Sequence, residues 1–167
     1  MKNTSYHLSD YDIDNIAIPY FWIAGKHIAL PIYEIKNYAA GGLKSNICDL
    51  SHFLIVHLNG GVYNGTRFLN ESTINQMQTI QYPNGSDGFA WKFVERSDGK
   101  TYLIHGGTIP GYHSQISIYP PDGIGVIFSY NQYHGYPARE KYRLIGRIEK
   151  FAFLQVEKLL YYKAYDI

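Results

Sequence analysis

The stretch from Phe89 to Tyr130 constrains this chain most, because its side chains repeat with a period of two between turn signals. Phe89, Trp91 and Phe93 alternate with Ala90, Lys92 and Val94, and Asp98-Gly99 leads into a second extended run, Thr101 to His105. Alternation around an Asp-Gly dipeptide is a strong hairpin signal, since both residues tolerate the positive φ of a tight turn. Tyr112 to Tyr119 and Ile124 to Tyr130 form another pair, joined by Pro120-Pro121-Asp122-Gly123. Residues 88–131 therefore read as antiparallel strands.

Helical spacing brackets these strands. Ile47, Leu50, Leu54 and Leu58 fall on one helical face, with Ser45 or Asn46 as the cap and Gly60-Gly61 after the end. Cys48 lies within this apolar pattern and reads as a small buried side chain; as the single cysteine it cannot form an internal disulfide. Asn70 opens a shorter helix through Gln78, with Ile74 and Met77 facing inward. The region Asp10 to Tyr38 lacks clean periodicity, is broken by Pro19 and Pro31, and reads mostly as loop. After Pro137, the residues Ile145, Ile148, Ala152, Val156 and Leu159 recur at helical spacing among charged residues, which predicts a long amphipathic helix. The implied fold class is α+β, an antiparallel sheet with flanking helices and the last helix over one sheet face. The chain reads as one unit: loop and helices over 1–80, strands over 88–131 and a helix over 137–163.

Composition removes several function classes. Fifteen Lys and Arg against 14 Asp and Glu leave a net charge of +1, and no basic cluster is dense enough for a polyanion, so nucleic acid is not an expected partner. No apolar stretch reaches the ~18 residues of a membrane span, and Met1 to His7 lacks the features of a secretory leader. Localisation is left open. His105 and His113 suit no common metal-ligand spacing and lack a supporting cysteine or carboxylate cluster, so no metal is expected. No cofactor is expected either. The 17 tyrosines are scattered, as core and interface residues are, and do not line up as a stacking surface.

Two segments are more specific. Ala40-Gly41-Gly42-Leu43-Lys44-Ser45-Asn46-Ile47-Cys48-Asp49-Leu50-Ser51-His52-Phe53 resembles the A-G-G-L-x-S-x-x-x-D-L-x-x-F segment of β-lactamase-related serine hydrolases. His105-Gly106-Gly107-Thr108-Ile109-Pro110-Gly111-Tyr112-His113-Ser114, followed by Tyr119-Pro120-Pro121-Asp122-Gly123 and Asn131, resembles that family's H-x-G or K-T-G strand and its successors. Gly88-Phe89-Ala90-Trp91 is similar to its G-x-x-W strand, and Met1-Lys2-Asn3-Thr4 to its G-M-x-N-T segment. Four segments in family order imply the C-terminal part of a β-lactamase and penicillin-binding-protein-like fold.

That resemblance implies acyl-serine chemistry on an ester, amide or β-lactam, with a small-molecule or peptide-like acyl substrate in the full-length parent. The family nucleophile lies in S-x-x-K and a helping tyrosine in Y-x-N, both upstream of the position matching Met1. The chain is therefore expected to be inactive alone, with a non-catalytic binding or interaction module as the alternative. Ser97-Asp98-Gly99-Lys100 fits S-x-x-K but sits at a hairpin tip, and Tyr82-Pro83-Asn84 fits Y-x-N in the wrong order. What the resemblance carries over is one wall of a site. Thr108 would supply a backbone oxyanion donor, and His105 would face the cleft in a catalytic or substrate-binding role. Gly106 and Gly107 would let a substrate lie along the strand. Loss of the family's N-terminal strands would expose Ile124 to Tyr130 and favour self-association through that sheet edge.

Overall fold

The computed structural model describes residues 1–132, 143, 146–156 and 158. In chain order the elements are β1 (Tyr20–Ile23), β2 (Lys26–Ala29), α1 (Tyr38–Gly41), α2 (Ile47–Leu58), β3 (Val62–Tyr63), β4 (Thr66–Arg67) and α3 (Glu71–Met77). They continue with β5 (Lys92–Glu95), β6 (Thr101–Ile109), β7 (Tyr112–Tyr119), β8 (Ile124–Tyr130) and a helix, α4, over 146–156. The period-two stretch forms a four-stranded antiparallel sheet in the order β5-β6-β7-β8, so each strand pairs with its sequence neighbour. This is the expected α+β architecture. Among the described residues no helix is long and apolar enough to cross a membrane.

Strand alternation divides the sheet's side chains between two faces. Leu103, Ile116 and Ile118 lie on one face and pack with Leu54 of α2 and with Trp91. Tyr102 and Ile124 lie on the other and pack with Phe153 of α4. Leu54 reaches the sheet because Gly125 lies beneath it: a methyl group on Gly125 would stand 2.6 Å from Leu54 Cδ2. The Asn46 side chain accepts from the Asp49 N–H and caps α2. Asp49 in turn holds the N-terminal segment, accepting from the Asn3 N–H at 2.7 Å and the Thr4 hydroxyl at 2.8 Å. Desolvation pulls the Asp49 carboxyl upward, but these donors outweigh it and hold its pKa below the ordinary value.

On the other face, α4 is fixed by a buried carboxylate. Glu149 is 3% exposed. It accepts from Arg96 Nη2 at 2.6 Å, Gln115 Nε2 at 2.6 Å and the Ser117 hydroxyl. A buried charge is tolerable only with such partners, and removing one typically costs about 3–5 kcal/mol. The Arg96 guanidinium also lies 4.3 Å from the Tyr102 ring centroid.

Several expectations need correction. The Asp10 to Tyr38 region holds the β1–β2 hairpin, turned by Ala24 and Gly25 at φ 47° and 82°. Alanine rarely adopts that conformation, so Gly25 alone marks the turn in the local sequence. A second hairpin, β3–β4, closes through Asn64-Gly65 within the region read as loop and helices. Cys48 and Ile47 are exposed, because the buried face of α2 runs through Asp49, Leu54 and His57. The first strand starts at Lys92, not Phe89: Ala90 at φ 66° breaks the extended chain and leaves Phe89 exposed. On α4, Ile148 points to solvent while Glu149 and Phe153 face the sheet. Pro137, Ile145 and Leu159, expected in the same helix, lie outside the described residues.

Candidate functional site

The site read from the sequence lies on the upper half of β6. β5 pairs with β6 only from Thr101 to Ile104, then leaves the sheet at Trp91 and Ala90. From His105 to Ile109 the strand keeps β7 on one side and, among the described residues, has no strand on the other.

The direction of the backbone groups follows from the register. Ile109 and Tyr112 flank the two-residue turn Pro110-Gly111. In such a turn the C=O of the first residue accepts from the N–H of the fourth, so this closing pair is the hydrogen-bonded kind. Antiparallel pairs alternate between bonded and non-bonded kinds. Thr108–His113 and Gly106–Gln115 are then the non-bonded kind, with N–H and C=O directed away from β7. For Thr108 and Gly106 that direction is the edge vacated by β5, and among the described residues these groups have no backbone partner.

Gly106 and Gly107 leave that edge bare. Neither has a positive φ. A methyl group on Gly107 would meet Ser114 Oγ at 3.4 Å, and on Gly106 the Ser114 carbonyl oxygen at 3.5 Å, both ordinary contacts. Neither backbone conformation nor packing demands glycine here, so the pair's effect is on the space above the strand.

His105 shares the sheet face of Gly107 and is exposed. Its Nδ1 lies 2.6 Å from the Ala90 carbonyl oxygen. A carbonyl can only accept, so Nδ1 carries the proton. The neutral ring then turns an acceptor, Nε2, outward, and donates there only as imidazolium. The sequence named His105 but not its anchor, since nothing marks Ala90 as the residue that lets the chain leave β6.

The hairpin tip beside the site is held by two tyrosines. Tyr33 donates to the Pro110 carbonyl and Tyr112 to the Ala17 carbonyl, at 2.6 and 2.7 Å. Burial pushes both hydroxyls above the ordinary value of 10.0, which keeps them protonated as donors. His113 projects from the face opposite His105, so the two rings do not meet. His113 instead bonds Thr108, a role the sequence reading missed. Ser97 lies exposed on the β5–β6 turn, where the Lys100 ammonium reaches Asp122 at 3.4 Å. Tyr82 is 69% exposed. A recess of about 350 Å³ lined by Asn3, Thr4, Asp10 and Tyr11 lies under the N-terminal segment, not beside His105.

Comparison with known proteins bears on the family and the fold. The chain is 26% identical to "Beta-lactamase-like protein 1" of Dictyostelium discoideum, over 77% of this chain and 24% of that protein. Its fold is similar to that of the octameric penicillin-binding protein homologue from Pyrococcus abyssi, with a TM-score of 0.63 and 22% identity. That likeness covers 78% of this chain and 30% of the other. The chain thus spans about a quarter to a third of the length of these relatives. The family model for beta-lactamase matches residues 1–149, most of the 167, and the chain belongs to the beta-lactamase family.

Proposed function

We propose that this chain supplies the strand wall of an acyl-serine hydrolase site. The observation that carries the reading is the outward N–H of Thr108, which has no backbone partner among the described residues at a strand edge that two glycines leave bare. An acyl compound lying along this edge would pair with Gly106 and Thr108 as an added strand. Its carbonyl oxygen would meet the Thr108 N–H, one of the two donors an oxyanion needs. Neutral His105 would accept from an amide or a tyrosine hydroxyl, and as imidazolium it would bind a substrate carboxylate. The serine would come from elsewhere in the parent protein, because Ser97 sits on an exposed turn, where the nearby Lys100 ammonium reaches Asp122. That same placement supports the second reading, a binding module without catalysis.

The test is a titration of the ¹⁵N-labelled chain with acetyl-D-alanyl-D-alanine, followed by exposure to a fluorophosphonate. The amides of Gly106, Gly107 and Thr108 should move most, Gly107→Val should suppress the movement, and no serine should be labelled. Shifts centred elsewhere, or none, would overturn the strand wall. Stoichiometric labelling of any serine, Ser97 included, would overturn the missing nucleophile.

Self-association through β8 is the second part of the proposal. Ser117 directs its backbone groups from β7 toward Val126, so Gly125, Ile127 and Ser129 direct theirs outward, along an uncharged edge. A second copy could pair there in antiparallel fashion. Sedimentation across a concentration series should show mass rising with concentration, and Ser129→Lys should abolish the rise. Ser129 is the proper site for that charge, because Val126 packs in the cluster under α4. A monomer at every concentration would refute it.

A further inference from the structure

Resting on the reading of Thr108 given above, we propose that His113 is a positioning residue that sets the direction of the Thr108 amide. The upper half of β6 is held from one side only, and it contains two adjacent glycines. Such backbone is soft where an oxyanion donor needs a fixed direction. Thr108 and His113 face each other as a non-bonded pair, in which no main-chain hydrogen bond links the two residues directly. Their link is through side chains: Thr108 Oγ1 and His113 Nδ1 are 2.7 Å apart.

The two partners differ in how firmly each is held. Thr108 is exposed at the edge, whereas His113 is 8% exposed in β7, with strands on both sides. The His113 ring stacks with Phe128 at 6.1 Å and 27°, and lies 4.9 Å from the Tyr130 ring at 30°. Two rings of β8 thus hold the imidazole, and the imidazole holds the threonine. A β-branched side chain has few χ1 choices, and its choice is coupled to its own backbone angles. Fixing Oγ1 therefore restrains the amide one bond away from Cα.

The bond also has a direction. With Nδ1 unprotonated, the Thr108 hydroxyl donates to the ring and its proton is occupied. With Nδ1 protonated, Oγ1 accepts, and the hydroxyl proton is free to reach a ligand oxygen at the edge. The tautomer of an interior histidine thereby decides whether the edge offers one donor or two.

The resonance part of the test needs no ligand. Thr108→Ser keeps the hydroxyl, Thr108→Val keeps the shape without it, and His113→Phe keeps a ring against Phe128 and Tyr130 without Nδ1. The His113 Nδ1 ¹⁵N resonance should stay in place in the serine variant and move in the valine variant. The Thr108 amide resonance should move in His113→Phe, and acetyl-D-alanyl-D-alanine should bind about fivefold more weakly, the loss of roughly one hydrogen bond. An unmoved Thr108 amide in a folded His113→Phe, or an Nδ1 resonance alike in both threonine variants, would overturn the proposal. If His113→Phe fails to fold, the threonine pair carries the test, because it leaves the buried ring untouched. If the peptide binds nowhere, the ring resonances still report on His113, and the failure belongs to the strand-wall reading.

Discussion

His57 stands on the inner face of α2 with 2% of its surface exposed, edge-on to Trp91 at a ring separation of 5.2 Å and beside Phe53 at 4.5 Å. Its Nδ1 has no partner among the described residues. Burial disfavours the charged ring and lowers its pKa from the ordinary 6.5. In the unfolded chain the ring takes its proton as pH falls through 6.5, while the folded chain resists until a lower pH. Stability should therefore fall between those two points, by at most about 1.4 kcal/mol per pH unit from this group. Thermal melts across that window should show the decline, and His57→Leu should flatten it; an unchanged slope would remove His57 as the cause. No sequence pattern separates this histidine from a solvent-facing one, because its burial depends on Trp91 arriving from 34 residues away in the chain. His105 was legible for the opposite reason, since the residues flanking it carry the family pattern.

Among the elements, α2 and β8 approach most closely where Gly125 meets Leu54. Gly125→Ala should cost about 1–3 kcal/mol, the usual penalty for overpacking. Urea denaturation would measure it, and Leu54→Val in the same chain should recover part of the loss. Additive losses would show that the two side chains do not compete for that space. The strands from Thr101 onward were legible because alternation and turn residues agree. Tyr112–Tyr119 and Ile124–Tyr130 have the expected bounds. The β3–β4 hairpin carried a readable Asn-Gly signal on strands of only two residues, too short for alternation to register. On α4 the apolar count placed Ile148 inward, but the helix turns Glu149 to the sheet, where Arg96, Gln115 and Ser117 wait. Hydrophobic periodicity cannot anticipate a carboxylate that is buried because three donors surround it.

At the scale of the molecule, sheet order follows from connections short enough to force neighbours together, and this much a single sequence discloses. The site does not follow so simply. The proposed site draws on a strand edge, a carbonyl at Ala90, tyrosine hydroxyls from Tyr33 and Tyr112, and an interior histidine. Their sequence separations carry no local signature. The departure of β5 at Ala90 has a further consequence. The bare edge of β6 runs from the Ala90–His105 hydrogen bond at one end to the Tyr33–Pro110 hydrogen bond at the other. Between them lie Gly106 to Ile109, about 13 Å of extended chain. On the proposed reading the fold would act as a ruler: an extended segment of about four residues would span that edge, and a longer one would have to bend away from the sheet to continue.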